Sequence, residues 1–202
     1  MASKPDARPE ISPDAALQAP ATAAPASSVR PGGEEPLGPI VSSGHLAAGA
    51  LPSLSEFEFG AIMTIHAFNR WMVRCMAAAG VPDLSPLDVL VLHHVNHRAK
   101  AKRLADVCLV LNIEDTHVVT YSLKKLEKLK LIKSGRSGKE KVVSIAPAGE
   151  EACRRYAQVR ERLLVKSVVA TGLNAQNLSE IAEQMRSLSG QYDQAARAAA
   201  SL

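Results

Sequence analysis

The clearest pattern of hydrophobic and polar positions lies in residues 115–131, DTHVVTYSLKKLEKLKL. Apolar residues recur there at spacings of four, three and three, which puts them on one face of a helix of about four turns. They are Val119, Leu123, Leu126 and Leu129. The opposite side carries hydroxyl, imidazole and ammonium groups, from Thr116, His117, Thr120, Tyr121, Lys124, Lys125 and Lys128. The pattern predicts an amphipathic helix with one strongly basic side.

The residues before this helix predict three more helices. Ser55-Glu56-Phe57-Glu58 is a capping-box sequence, and it predicts a first long helix over residues 55–79. Ser85-Pro86-Leu87-Asp88 combines an N-cap, a proline and an acid in the first turn, and it predicts a second helix that ends near residue 98. A short third helix is expected over residues 102–111, and a tight turn joins it to the basic helix. Two short helices joined in this way predict a helix-turn-helix.

The residues after the basic helix predict a β-hairpin over residues 132–146. Val143 and Ile145 alternate with Val142 and Ser144, as in a strand. A tip rich in Gly, Ser, Arg and Lys, residues 135–139, separates this strand from a shorter one. A basic hairpin that directly follows a recognition helix predicts a wing, with Arg136 at its tip.

The C-terminal part of the chain predicts two further helices, over residues 147–170 and 174–199. In the last one the apolar residues step by three, four, three and four, which is a seam of about two heptads. They are Leu178, Ile181, Met185, Leu188 and Tyr192. Such a seam needs a partner, either another helix of the same chain or the matching helices of a second copy. The resulting fold class is mostly α, a winged helix-turn-helix with a short β-hairpin wing, flanked by N- and C-terminal helices.

The first 53 residues differ from the rest in composition. They contain nine of the twelve prolines, no aromatic residue and no apolar period, and we expect them to be disordered. The ordered domain is then expected at residues 54–200, with its helix-turn-helix and wing at 85–146. No secretory signal is recognisable, and no apolar run is long enough to span a membrane. Three cysteines without a CxxC spacing fit a reducing cytoplasm.

The positive charge of the chain is concentrated. The net charge is +4, and the residues from Lys124 to Lys141 alone include eight basic residues and two acids. Clustering of this kind favours a polyanionic partner. Lysines on a helix neutralise phosphates, and Thr, His and Tyr side chains reach base edges in a major groove about as wide as one helix. The sequence therefore predicts binding to double-stranded DNA.

The order of elements and three short motifs resemble the MarR family of bacterial transcription regulators. The motifs are Leu104-Ala105, the segment LEKLKLI at 126–132 and the segment VVSIAPAG at 142–149. The chain differs from the family pattern at Tyr121, where an Arg is usual, at Lys130, where a Gly is usual, and in the wing. The resemblance implies a homodimer held by its first and last helices, with each recognition helix in a major groove of a pseudo-palindrome. It also implies small anionic or phenolic effectors between the dimer helices and the DNA-binding lobes.

These arguments give two sets of candidate DNA contacts. The base-contacting set is Thr116, His117, Thr120 and Tyr121. The set for phosphates and the minor groove is Lys124, Lys125, Lys128, Arg136, Lys139 and Lys141. The alternative is a winged helix used as a protein-interaction module without a DNA target, since a fold does not fix a function. No arrangement suggests catalysis, and no cofactor is expected.

Two other groups of residues are of types that bind metals or react with oxidants. His93 and His97 are four residues apart on the second helix, a spacing that suits a metal. No neighbouring acid or HExxH motif supports a metal there, and two half-buried histidines are the preferred interpretation. Cys75 near the end of the first helix could sense oxidants, but a plain core or surface thiol is the simpler interpretation. Cys108 is expected to be a small core residue.

Overall fold

The computed structural model describes residues 38–202, which contain seven α-helices and three short strands. The helices are α1 (Pro52–Ala78), α2 (Pro86–Asn96), α3 (Leu104–Leu111), α4 (Thr116–Lys128), α5 (Pro147–Arg160), α6 (Lys166–Ala170) and α7 (Ala175–Ala199). The strands are β1 (Lys102–Arg103), β2 (Ile132–Ser137) and β3 (Glu140–Ile145). A π-helical turn, Glu161–Val165, joins α5 to α6, so the helix expected over 147–170 is continuous. The mostly α, winged helix-turn-helix fold predicted from the sequence is confirmed.

Helix α1 begins earlier than predicted. Its first residue is Pro52, which needs no N–H partner at this position and has a backbone φ already suited to a helix. Ser55 is not the N-cap, and the capping-box prediction is wrong. The Ser55 side chain is buried, and its hydroxyl donates to the carbonyl oxygen of Leu46 at 2.9 Å, in a 3-10 turn at Leu46–Ala48. Order therefore begins before the predicted boundary at residue 53; residues 1–37 of that predicted tail lie outside the described residues.

Helix α2 begins as its sequence predicts. The Ser85 hydroxyl accepts from the amide of Asp88 at 3.2 Å, and the Asp88 carboxylate accepts from the amide of Ser85 at 2.8 Å. This reciprocal pair satisfies two amides that the first turn of a helix would leave without partners. The helix places Val89 and Leu92 in the centre of the core.

The core lies where the second half of α1, helices α2 to α4, the sheet and α5 meet. Its fully buried members include Met72 and Met76 of α1, Val91 and Val95 of α2, Val107 of α3, and Val119 and Leu126 of α4. Leu129, predicted on the apolar face of α4, is 45% exposed. The helix ends at Lys128, and Lys130 adopts a left-handed φ of 59°, so the chain turns away before Leu129 can pack. A left-handed backbone of this kind favours glycine, and here Lys130 adopts it.

The strands form a three-stranded antiparallel sheet in the order β1-β3-β2. Lys102 and Arg103, predicted as the start of the third helix, instead pair with Val143 and Val142 of β3. The hairpin loop is shorter than predicted and contains only Gly138 and Lys139. Gly138 has a φ of +63°, and a two-residue hairpin loop with a positive φ at its first position favours glycine there.

Arg136 is not at the tip of the wing. It lies within β2 and is paired with Lys141 of β3, so two cations face each other across the strands. The prediction of Arg136 as a tip residue is wrong because β2 continues through Gly135 to Ser137.

The flanking helices leave much apolar surface exposed. Ile62, Ile65 and Phe68 in the middle of α1 are exposed, although Met72 and Met76 further along the same stripe are buried. Helix α7 buries none of its residues, and its heptad side chains Leu178, Ile181, Met185 and Tyr192 are exposed. Within the described chain, the seam of α7 is therefore only partly covered, and its Tyr192 hydroxyl donates to the Glu58 carboxylate of α1 at 2.9 Å.

Candidate nucleic-acid interface

Helix α4 starts at a sharp, well-capped turn. Asn112 ends α3 in the left-handed conformation, with a φ of 52°, which an Asn tolerates better than most residues. Asp115 is the N-cap of α4, and its side chain accepts from the amide of His117 at 2.8 Å. These two local devices set the angle between the two helices of the helix-turn-helix.

The structure exposes most of the predicted base-contacting side chains. Thr116, His117 and Tyr121 are exposed along one side of α4, and Tyr121 is 73% exposed. Thr120 is half-buried, and its hydroxyl donates to the carbonyl oxygen of Thr116 at 2.8 Å. The hydroxyl oxygen of Thr120 keeps its acceptor capacity, but its proton is engaged by the helix itself.

Lys125 differs from the other lysines of α4. Its ammonium group donates to the carboxylate of Asp88 at 2.8 Å and to the carbonyl oxygen of Asp83 at 2.6 Å. The Asp88 side chain is 3% exposed and that of Lys125 is 30% exposed, so the ion pair is largely withdrawn from water. Burial acts to raise the pKa of Asp88, but the hydrogen bonds from Lys125 and Ser85 outweigh it and hold that pKa below its usual value. The ion pair therefore holds α4 against α2. Lys125 was predicted to contact phosphate, but its ammonium group is engaged within the protein.

The remaining candidate cations are exposed on α4 and on the wing. Lys124 and Lys128 are exposed on α4, and Arg136, Lys139 and Lys141 are exposed on the hairpin. A small cavity of about 140 Å³ between α4 and the wing is lined by Lys124, Glu127, Ser134 and Lys141, among others. Lys124 of the helix and Lys141 of the wing are therefore neighbours in space, whereas Lys128 lines a different cavity beside Lys125.

Two contacts made by carboxylate side chains at the wing are not predicted by the sequence. The Arg103 guanidinium lies 3.5 Å from the Glu140 carboxylate at the start of β3, and it also bonds Asp106 at 3.0 Å. The carboxylate of Glu127 on α4 accepts from the amide of Ser134 on β2 at 3.3 Å. The only sequence signal for the second contact was that Glu127 is the one acid among the lysines of α4.

A larger cavity lies between α1, α2 and α5. Its volume is about 890 Å³, and its wall includes Trp71, His93, Tyr156 and Arg160. The His93 ring meets Tyr156 edge-on with 4.5 Å between ring centroids, and its Nε2 is buried without a hydrogen-bond partner among the described residues. Burial lowers the pKa of His93, which favours the neutral imidazole at neutral pH.

Of the other candidate residues, His93 and the three cysteines lie in or beside the core, whereas His97 is exposed. No group of three or more metal-binding side chains converges within residues 38–202. Cys75, Cys108 and Cys153 are all buried, and burial raises the pKa values of Cys75 and Cys153, the latter to about 11. A buried thiol with a raised pKa is a poor redox sensor, which agrees with the simpler interpretation of Cys75. No helix within residues 38–202 combines the length and apolarity needed to cross a bilayer.

Comparison with known proteins identifies the fold. A family model described as a winged helix DNA-binding domain matches residues 84–149, which span α2 to the first turn of α5. AbfR of Staphylococcus epidermidis is similar in structure, with a TM-score of 0.59 over 74% of this chain and 98% of that chain, at 13% identity. The chain has the winged-helix fold of the MarR regulators.

Two further MarR structures show the same likeness. A variant of MarR from E. coli complexed with operator DNA gives a TM-score of 0.56 over 69% of this chain and 98% of that chain, at 13% identity. MarR of Staphylococcus aureus in complex with salicylate and kanamycin gives a TM-score of 0.53 over 73% of this chain and 98% of that chain, at 17% identity. No curated protein matches the winged-helix chain in sequence.

Proposed function

We propose that the protein is a homodimeric, cytoplasmic regulator of transcription that binds specific sequences in double-stranded DNA. The supporting observation is that Lys124 of α4 and Lys141 of the wing line the same small cavity. Helix α4 lies in the major groove, and the wing contacts the adjacent minor groove or backbone. The operator complex of the E. coli MarR variant provides a precedent in the same fold.

The side chains have separate tasks in this proposal. Thr116, His117, Thr120 and Tyr121 face base edges, where they distinguish sequences. Lys124, Lys128, Arg136, Lys139 and Lys141 neutralise phosphates. If each cation neutralises one phosphate, the slope of log K against log salt is about −4.5 for one protomer and about twice that for a dimer. Lys125 is left out because its ammonium group is held by Asp88 and Asp83.

The exposed apolar surfaces of α1 and α7 support the homodimer. A row of exposed Leu, Ile and Met side chains on a terminal helix is a liability unless a second copy covers it. We expect light scattering to give a dimer at micromolar concentration and a monomer for Ile181→Glu. A monomeric wild-type protein at that concentration would contradict the dimer.

Reversing two charges on α4 tests the DNA proposal. The double variant Lys124→Glu, Lys128→Glu should lose binding to duplexes selected from a random pool by wild-type protein. The matched control is Arg162→Glu with Lys166→Glu, which reverses two exposed charges outside the winged helix. Binding that is equal in both double variants, or independent of salt, would instead favour a protein-interaction module.

A second proposal concerns the cavity between α1, α2 and α5. We infer that it binds a small aromatic effector, because it combines aromatic walls with the buried, unpartnered Nε2 of His93. Salicylate, present in the S. aureus MarR complex, is a suitable probe. It should raise the melting temperature of wild-type protein and leave His93→Leu unchanged. An equal shift in both proteins would place the effector elsewhere.

A further inference from the structure

Glu127 is the one acid of α4, on a helix whose other charged side chains are cations. It lies on α4 beside Lys124, and Lys141 of the wing lines the same small cavity. A carboxylate at this position repels DNA phosphates and so weakens binding, if it does nothing else. Its presence on this face therefore calls for a structural explanation.

The contact made by Glu127 supplies that explanation. Its Oε1 accepts from the amide of Ser134 at 3.3 Å. Ser134 belongs to β2, which is an edge strand because the sheet order is β1-β3-β2. The backbone amides on the free side of an edge strand have no strand partner, and a side-chain acceptor there fixes the strand in place. The hydrogen bond to Ser134 lowers the pKa of Glu127, burial opposes this, and Lys141 lowers it further, so the carboxylate is ionised at neutral pH.

We propose that Glu127 is a positioning residue that anchors the edge strand of the wing to the recognition helix. The anchor keeps the cations of the hairpin, Arg136, Lys139 and Lys141, at a fixed distance from those of α4. The opposite side of the wing has its own anchor, in the Arg103–Glu140 pair at 3.5 Å. This role rests on the proposed function, because a fixed wing matters only if the wing docks on DNA.

Three variants separate the anchor from the charge. Glu127→Gln removes the negative charge but keeps a side-chain oxygen that accepts from the Ser134 amide. Glu127→Ala removes both. Glu114→Gln is the matched control, since it removes an exposed acid from the turn before α4 without breaking any hydrogen bond of the described residues.

The anchor itself is measured on free protein by amide hydrogen exchange at Ser134. Loss of one hydrogen bond of ordinary strength, about 1 kcal/mol, speeds exchange about fivefold. We expect this acceleration in Glu127→Ala, and not in Glu127→Gln or Glu114→Gln. In wild type, the Ser134 amide resonance should also titrate with the Glu127 carboxylate at a pH below the usual pKa of a glutamate.

DNA binding is then measured by fluorescence anisotropy over a range of salt concentrations. Glu127→Gln should bind at least as tightly as wild type with an unchanged salt slope. Glu127→Ala should bind at least about tenfold more weakly, and its slope should be shallower by up to about 2.7 for each protomer, because three wing cations are no longer held against phosphates.

The possible results separate the anchor role of Glu127 from the proposed binding of DNA. If Glu127→Ala keeps the wild-type slope and affinity, or if Glu127→Gln behaves like Glu127→Ala, the anchor proposal is wrong. If Glu127→Ala does not fold, Glu127→Gln and the Ser134 titration of wild type decide the question. Failure of wild type to bind any duplex overturns the proposed function, and the exchange data then show separately whether the anchor exists.

Discussion

Replacing Lys125 by Met tests whether α4 is held by a buried ion pair. Met keeps most of the aliphatic stem of lysine but removes the ammonium group that bonds Asp88 at 2.8 Å and the Asp83 carbonyl oxygen at 2.6 Å. The carboxylate of Asp88, 3% exposed, is then left with the hydrogen bond from the Ser85 amide and the nearby hydroxyl of Ser122. Removing one partner of a buried pair typically costs about 3–5 kcal/mol, because the other charge stays buried.

The expected loss is near the low end of this range, about 3 kcal/mol. Lys125 is 30% exposed, so water reaches part of the pair, and Ser85 continues to stabilise the carboxylate. For a domain of this size, such a loss lowers the melting temperature by about 6–12 °C. Urea unfolding followed by circular dichroism measures it directly.

The stabilisation by the Asp88–Lys125 pair should decrease at low pH. The pKa of Asp88 is lowered in the folded state, so its stabilisation is present above the unfolded value of about 3.9 and is lost as pH falls through the folded pKa. The gap in unfolding free energy between wild type and Lys125→Met should therefore be constant near neutral pH and narrow below about pH 4.

The DNA-binding properties of the same variant complete the test. Because Lys125 is engaged within the protein, Lys125→Met should keep the salt slope of wild type under conditions where both are folded. A loss of less than about 1 kcal/mol together with a shallower salt slope would refute this reasoning, since it would mean that Lys125 serves phosphates and not Asp88.

Three further predictions concern the core. Leu126→Ala, at a fully buried position, should cost about 2–5 kcal/mol in urea unfolding, whereas Leu109→Ala, at a position 80% exposed, should change stability by less than about 0.5 kcal/mol. Gly149→Ala should lower the unfolding free energy by about 3 kcal/mol, and with it the melting temperature, because the new Cβ would collide with the carbonyl oxygen of Leu131. A melting curve like that of wild type would show that the backbone relaxes easily. Burial raises the pKa of Cys153 to about 11, so thiolate is scarce at pH 8, and iodoacetamide should label this residue in urea but not in the native protein.

Elements with a local cause could be predicted from the sequence. Helix α2 is capped by residues only three positions apart in the chain, Ser85 and Asp88, and its predicted start is confirmed. Helix α4 has a strong 3.6-residue period, and Val119 and Leu126 are fully buried as that period requires. Both features depend on short stretches of chain, which is why pattern and spacing are sufficient for them.

Features that depend on distant residues could not be predicted in the same way. The two-residue strand β1 exists only because it pairs with Val142 and Val143, far along the chain. Lys125 lies on the polar side of α4 by helical spacing, but its long side chain reaches Asp88, 37 positions earlier. A helical period describes the direction of a side chain at its Cβ, and it contains no information about which neighbouring helix offers a carboxylate.

The cross-strand pair of Arg136 and Lys141 destabilises the hairpin electrostatically. Two like charges directly opposite each other on antiparallel strands repel, and the repulsion is largest when few counter-ions are present. The outer half of the wing is consequently loosest in dilute buffer and tightens when an anion, a salt ion or a phosphate, comes between the two side chains. Part of the ionic-strength dependence of such a protein then originates in its own folding, in addition to the ions released from the nucleic acid.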